Sequence, residues 1–319
     1  MRETFFISFL ACFTFAQAQT YPSKPIRLIV PFAPGGSSEF VARTVSAEMA
    51  KSLGQNFVIE NKPGGGGNIA MGEVARAEPD GYTLIIGHIG TLAANPAMSR
   101  ELPYDANKDF TPISLLVKVV TLYVVHADVP VKDLKELIAL AKREPGKLNY
   151  GSAGNASAGH LAMEYLKLAT GGIDIQHVPY KGTGPMVIDL VAGRTQVGVA
   201  GTPPLLQHVK AGKLRAVAVG TPGRLAVLPD VRSVAEQGYP GFETSQWYGL
   251  IGPAKMPDSV IKKLSEEAAR AVRSKVVLDR LATESAIPVG STPDEFAQFV
   301  AKEQAHWKEV VQKAHIKAD

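Results

Sequence analysis

The chain has 319 residues, 45% hydrophobic and 20% charged, which is long enough for two domains of ordinary size and balanced like a soluble globular protein. Its net charge of +4 comes from 34 basic and 30 acidic residues that are interspersed, which argues against a nucleic-acid-binding patch. The one cysteine, Cys12, lies in the N-terminal segment, so a disulfide scaffold, a thiol nucleophile and a thiolate metal site are excluded for the rest of the chain.

Residues 1–18 read as a signal peptide. Arg2 precedes an apolar run from Phe5 to Phe15, and Ala16-Gln17-Ala18 supplies a cleavage site. The run is shorter than the roughly 20 residues a bilayer span needs. Cys12 behind Leu10-Ala11 leaves a lipoprotein variant open, with Phe9 standing where a smaller aliphatic residue is usual. Export with cleavage near Ala18 predicts a mature protein that relies on its core rather than on disulfides.

Leu28-Ile29-Val30 then reads as a buried strand. It runs into Pro34-Gly35-Gly36, Ser37-Ser38-Glu39 and an amphipathic helix that Gly54 stops. One of the two serines is expected to cap this helix, and Glu39 to complement its dipole. Residues 57–60 predict a second strand, residues 63–68 a glycine loop, and Ile69, Met71, Val74 and Ala75 the apolar face of a helix. Residues 83–89 predict a third strand ending at Gly90-Thr91. This alternation predicts an α/β fold with a parallel sheet, its ligand site at the carboxyl ends of the strands. Those ends are residues 31–39, 62–68 and 88–91.

Residues 109–127 are apolar and β-branched, and predict two strand segments, one leaving a first domain and one entering a second. The alternation then resumes. Helices are expected at 132–143, 160–169, 185–192 and 205–211, and strands at 148–150, 173–178, 196–200 and 215–219. Beyond Tyr239 a strand-like stretch carries Trp247 and Tyr248, read as core or hinge packing. Long amphipathic helices follow at 257–274 and 293–312, expected to pack back on the first domain. The predicted organisation is a signal peptide at 1–18, one lobe from 19–121 with 246–319, and a second lobe from 122–245.

A strand running into a loop of Gly, Ser, Thr or Asn and then a helix recurs at 35–39, 64–68, 152–157 and 201–204. Helix N-termini carry partial positive charge and unpaired N–H groups, so several facing one cleft bind a carboxylate without arginine. Residues 65–70 match G-x-G-x-x-A, but the next strand ends without an acidic residue to hold a ribose, so no dinucleotide cofactor is expected. Residues 154–159 miss G-x-S-x-G, because Asn155 stands two before Ser157. A hydrolase pairing Ser157 with His160 or His177 is the alternative, although three residues between Ser157 and His160 is helix-capping distance. The seven histidines form no metal-ligand spacing, and no metal is expected. His160, opening a helix, reads as packed or capping.

Tyr21-Pro22-Ser23-Lys24-Pro25-Ile26-Arg27, Val30-Pro31-Phe32-Ala33-Pro34-Gly35-Gly36, Pro79-Asp80-Gly81-Tyr82-Thr83-Leu84, Leu102-Pro103-Tyr104-Asp105 and His177-Val178-Pro179-Tyr180-Lys181-Gly182 occur in order. With Glu60-Asn61-Lys62-Pro63-Gly64, Leu228-Pro229-Asp230-Val231 and the C-terminal end, the chain resembles the Bug-type (TctC-type) solute receptors of tripartite tricarboxylate transporters from about Tyr21 onward. The resemblance implies a type II periplasmic-binding-protein fold, two α/β lobes closing on a ligand cleft. It also implies a monomeric periplasmic protein that captures a small organic carboxylate by hinge closure and delivers it to membrane transporter subunits. The implied ligand-binding residues are Ala33, Gly36, Ser37, Ser38, Gly66, Gly67, Asn68 and Thr91 on one side. On the other they are Ser152, Asn155, Ala156, Ser157, Gly201 and Thr202. The family often has Ser-Thr-Asp where this chain has Ser37-Ser38-Glu39, and an acid or amide near Ala200-Gly201. The second departure predicts a roomier or more anion-tolerant distal pocket, suited to an aromatic dicarboxylate such as terephthalate. A ligand-sensing subunit is a further alternative.

Overall fold

The computed structural model describes residues 21–98, 101–314 and 316, so the expected signal peptide and Cys12 lie outside the described residues. The opening apolar run forms β1 (Ile26–Val30), which is parallel to β2 (Phe57–Asn61) on one side and to β3 (Thr83–His88) on the other. Between them lie α1 (Ser37–Leu53), closed by Gly54 in the left-handed conformation, and α2 (Asn68–Val74). β3 leads through a π-helical turn, Gly90–Ala94, into a short helix α3 (Asn95–Met98).

Residues 110–126 form one continuous 17-residue strand, β4 (Phe110–His126), where two segments were expected. Shifts of register after Pro112, Leu115 and Tyr123 bend and twist it, so one apolar β-branched run serves two sheets. Its first part, Phe110 to Val120, pairs antiparallel with β9 (Ser245–Pro253), which also flanks β3. Its last part, from Thr121, pairs with β7 (Val197–Gly201) and, from Leu122, with β8 (Leu214–Val219). The chain therefore crosses from one lobe to the other between Val120 and Thr121. It returns beside that point: Gly220 N–H donates to Thr121 O and Thr244 N–H to Gly220 O, both at 2.8 Å. A Cβ on Gly220 would stand 2.3 Å from Thr244 Oγ1, so only glycine fits this double crossing.

The second lobe holds α4 (Leu134–Arg143), β5 (Asn149–Ser152), α5 (Ala158–Ala169), β6 (Gln176–Pro179), α6 (Thr183–Val191) and α7 (Thr202–Lys210), with β5 parallel to β6 and β7. The tail returns to the first lobe, as the sequence predicts. α8 (Asp258–Val272) buries Val260, Leu264, Ala268 and Ala271 against Val41, Val45 and Met49 of α1 in one core. Truncating Leu264 to alanine there costs about 2–5 kcal/mol. α9 (Lys275–Thr283) and β10 (Ala286–Pro288), which pairs with β4, were not expected from sequence. α10 (Pro293–Lys313) opens with a reciprocal capping box between Thr292 and Glu295. No described helix is long and apolar enough to cross a membrane.

Candidate functional site

The strand ends β1, β2 and β3 bring three loops of the first lobe to the cleft. After Val30 the chain turns at Gly35, φ 86°, and α1 starts at Ser37 with Gly36 as its cap. Neither serine caps the helix, contrary to expectation. Because both already lie inside its first turn, their hydroxyls cannot fold back on its N–H groups. Glu39 does the local work instead, accepting from Gly35 N–H at 2.7 Å and pairing with Arg43 at 2.7 Å. Ser37 Oγ is buried beside the Tyr248 hydroxyl without completing a hydrogen bond.

The second loop holds four successive glycines, Gly64 to Gly67, all with φ between 54° and 140°, a path closed to other residues without strain. Asn68 behind them uses its carboxamide oxygen to accept from Asn95 Nδ2 at 2.6 Å and from Tyr104 Oη at 3.0 Å. Below the loop Arg27 bridges Glu60 and Glu73 at 2.7 and 2.6 Å, and Lys62 joins Glu73 at 2.7 Å. These cations hold both carboxyls below the usual carboxylate range.

The third loop carries a group that sequence reasoning left out of the site. His88 Nδ1 accepts from Gly90 N–H at 2.9 Å, which assigns the ring proton to Nε2. That Nε2–H is buried without a partner. Burial pushes the ring's pKa down to about 3, so it is a neutral donor near pH 7. Thr91 Oγ1 sits behind it, bonded to both the N–H and the carbonyl of His88 at 3.2 Å.

On the second lobe the comparable hydroxyls are all engaged. Ser152 Oγ lies 2.7 Å from His177 Nε2 and 3.1 Å from both the N–H and the carbonyl of Gly154. His177 is stacked between Tyr150 and His160, with ring centroids at 4.7 and 4.3 Å, and burial pushes its pKa down to about 3. Ser157 caps α5 by accepting from His160 N–H at 3.4 Å. His160 Nδ1 accepts from Ala156 N–H at 3.1 Å, which steadies Ala156 at a φ of 56°. Thr202 Oγ1 donates to Val120 O at 3.0 Å, beside the crossing between lobes.

The two sides are in contact. Ala33 N–H donates to Lys181 O at 3.0 Å across the cleft. Added Cβ atoms would meet the opposite lobe at 2.1 Å on Gly184 (Pro34 O), 2.6 Å on Gly66 (Asn155 O), 2.3 Å on Gly90 (Ala156 O) and 2.4 Å on Gly201 (Ser37 Oγ).

An inner cavity of about 20 Å³ lies between the lobes, lined by Ser37, Ser38 and His88 from one side, Ser157 and Ala200 from the other, and Gln246 and Tyr248 of β9. No charged side chain lines it. Tyr248 packs in the buried core of the first lobe, in keeping with the core or hinge packing expected, and also borders the cavity, while Trp247 is buried against Phe296 and Phe299. Gly201 does not open the roomy pocket expected there, because Ser37 of α1 fills the space it spares, and Ala200 lines only the small inner cavity. An outer chamber of about 420 Å³ is bordered by Gly66, Gly67, Asn68, Asn155 and Ala156. Gly36 borders a separate groove of about 490 Å³ between α1 and α7. Ala33 and Gly201 sit at contacts between lobes, while Ser152, Thr91 and Thr202 are fully buried and line none of these spaces. Among the described residues no group of three or more His, Cys, Asp or Glu is placed to hold a metal ion.

The model of the tripartite tricarboxylate transporter family receptor matches residues 41–316. A solved structure of a periplasmic transporter is 43% identical, superposes with a TM-score of 0.91, and is covered over 94% of this chain and 100% of that one. Rpa4515 of R. palustris, solved with adipate, is 36% identical with a TM-score of 0.90 over 93% of this chain and 99% of its own. MatC of Rhodopseudomonas palustris, solved with bound malate, is 36% identical with a TM-score of 0.87 over 91% of this chain and 100% of its own. The chain belongs to the tripartite tricarboxylate transporter receptor family, and its two α/β lobes are the fold of that family's periplasmic members.

Proposed function

We propose that the protein captures a small organic carboxylate between its lobes in the periplasm and hands it, unchanged, to the membrane subunits of a tripartite tricarboxylate transporter. The observation that carries this reading is the pair of buried, unpartnered groups, Ser37 Oγ and His88 Nε2–H, on a cavity with no charged lining. A buried donor left unpaired costs about 1–3 kcal/mol, a cost offset when a ligand oxygen accepts from it. Gln246, which lines the cavity, adds a third donor, since its Oε1 already accepts from Tyr248 Oη at 2.6 Å and leaves its Nε2 hydrogens to donate. A carboxylate, acceptor-only with two oxygens, matches such a set. The adipate and malate bound by the relatives support the class. Bending at the paired crossings near Thr121 and Gly220 would open and close the lobes on the ligand. Export with cleavage near Ala18 and a monomeric state complete the proposal.

Catalysis is not part of it. The pairing nearest to a nucleophile and base is Ser152 with His177, yet Ser152 is fully buried and lines neither cavity. A histidine held near a pKa of about 3 is also a weak base at neutral pH. Titration calorimetry with adipate, malate, terephthalate, citrate and aspartate tests the reading. Binding of at least one non-amino carboxylate is expected, with the ligand recovered intact. Tight binding of aspartate alone, or recovery of a chemically altered ligand, would sink it.

A further inference from the structure

We infer that Tyr248 is a positioning residue that fixes the polarity of Gln246, so that the inner cavity takes a carboxylate and refuses the carboxamide of the same acid. The inference rests on the reading that a carboxylate enters this cavity, and it names the residue that makes the choice. Gln246 and Tyr248 stand two apart on β9, so their side chains share one face of the strand, and both line the cavity. β9 is paired on both sides at this point. Tyr248 lies opposite His88 of β3, and Gln246 opposite Val119 of β4, so the two side chains spring from a fixed backbone. Both residues are buried, at 6% and 5% exposure.

The two ends of a glutamine amide are alike in shape and opposite in polarity, so its partners decide which end donates. Tyr248 Oη donates to Gln246 Oε1 at 2.6 Å. The other oxygen beside the phenol, Ser37 Oγ, completes no hydrogen bond. Turning the amide over would therefore leave the buried phenol hydrogen without an acceptor. Burial also pushes the pKa of the phenol up, so it remains a donor at neutral pH. With Oε1 taken, Gln246 has only its Nε2 hydrogens to offer. His88 is fixed in the same sense, because its Nδ1 accepts from Gly90 N–H and its Nε2–H can only donate. Serine hydroxyls can turn either way, but these two groups cannot. A carboxylate answers both with acceptors alone. A carboxamide answers with one oxygen and an NH2 that neither group can accept.

Calorimetry on the mature full-length chain tests this with a pair of probes: whichever of adipate, malate, terephthalate and citrate binds most tightly, and the fully amidated form of that acid. Wild type is expected to prefer the acid by about 10-fold or more, the scale of a buried group left unpaired. Tyr248→Phe keeps the ring in the first-lobe core and removes only the hydroxyl, which frees Gln246 to turn its oxygen outward. It should lower the acid-to-amide ratio by about 5-fold or more, with the amide binding more tightly than to wild type. Gln246→Met should lower the ratio as well. Adding Tyr248→Phe to Gln246→Met should then leave the ratio where it stood, since the group being positioned is gone. A merely structural hydroxyl would weaken both probes alike and would do so in either background. That outcome, a ratio unmoved by Tyr248→Phe or by Gln246→Met, or wild type that binds acid and amide equally, overturns the inference. Ser37→Ala separates it from the underlying reading. If Ser37→Ala weakens the acid while Tyr248→Phe leaves the ratio unmoved, the inner cavity still takes the carboxylate and only the role of Tyr248 falls. If Ser37→Ala has no effect on the acid, or none of the four acids binds, both fall together.

Discussion

The two sides of the cleft use the same unit, a strand running through a small-residue loop into a helix, to different ends. In the first lobe the unit leaves polar groups unpaired: Ser37 Oγ and His88 Nε2–H are buried with no partner. In the second lobe the comparable hydroxyls are bonded within the lobe or to the strand crossing. Ser152 is tied to His177, Ser157 to the start of α5, and Thr202 to Val120 O. What the second lobe contributes is fit. Gly184 and Asn155 come against Pro34 and Gly66 at distances only a missing side chain permits. One side presents unpaired polar groups, and the other supplies a close-fitting backbone.

Breaking closure gives the largest expected effect. A Cβ on Gly184 would stand 2.1 Å from Pro34 O and 3.5 Å from Gly35 Cα, so Gly184→Ala holds the lobes apart without disturbing either core. Apparent affinity falls with the fraction of closed protein, and roughly 100-fold weaker binding is expected. Gly223→Ala, with nothing within 4 Å of its added Cβ, is the control and should bind like wild type. Calorimetry on both variants decides it; wild-type affinity in Gly184→Ala would mean that this contact is not needed for the bound state.

Breaking recognition comes next. Ser37→Ala removes a donor that the folded protein does not use, so binding should weaken by about 10- to 100-fold with no loss of stability. Thr202→Val, on the other side, removes a hydroxyl bonded to Val120 O and should lower stability by about 1 kcal/mol. Paired melting and binding curves check the contrast. A destabilised Ser37→Ala with unchanged affinity would reverse the assignment of roles.

The same division explains what could be read from the chain. The glycine loops, the alternation in both blocks and the returning tail are local patterns, and local patterns survive in one dimension. Glu39 reads correctly because it needs only Gly35 and Arg43 nearby. The serines read as caps in the sequence and are not, because capping depends on where α1 begins, and the Gly36 cap moves that start by a residue. β4 reads as two strands because bulges, not breaks, turn it between sheets. His88 carries no signal in one dimension: what marks it is a buried Nε2–H without a partner, which only the packed structure reveals. α9 and β10 are not legible in the sequence, because a short helix and a three-residue strand are stabilised by their packing, β10 on β4, more than by their own sequence.

The smallest expected effect is that of pH on affinity, and its flatness sharpens the comparison. A histidine that recognised the anion by charge would titrate near its ordinary 6.5 and tighten binding as pH fell. His88 is held neutral by burial down to about 3, and Ser37 and Gln246 do not titrate. Between pH 6 and 8 the affinity for a fully ionised carboxylate should change by less than about 2-fold, since no recognising group gains or loses a proton. Stability behaves differently. The unfolded chain binds protons on both His88 and His177 below about 6.5, while the folded protein binds them only near 3. Folding is therefore weakened as pH falls through that window, by up to about 1.4 kcal/mol per pH unit for each ring, and the loss is absent above it. A melting temperature that falls from pH 6.5 to 4.5 beside a flat affinity from pH 6 to 8 is the expected pattern. A 10-fold gain in affinity at pH 6 would mean that His88 carries charge in the complex, and that the first lobe recognises its ligand with a cation after all.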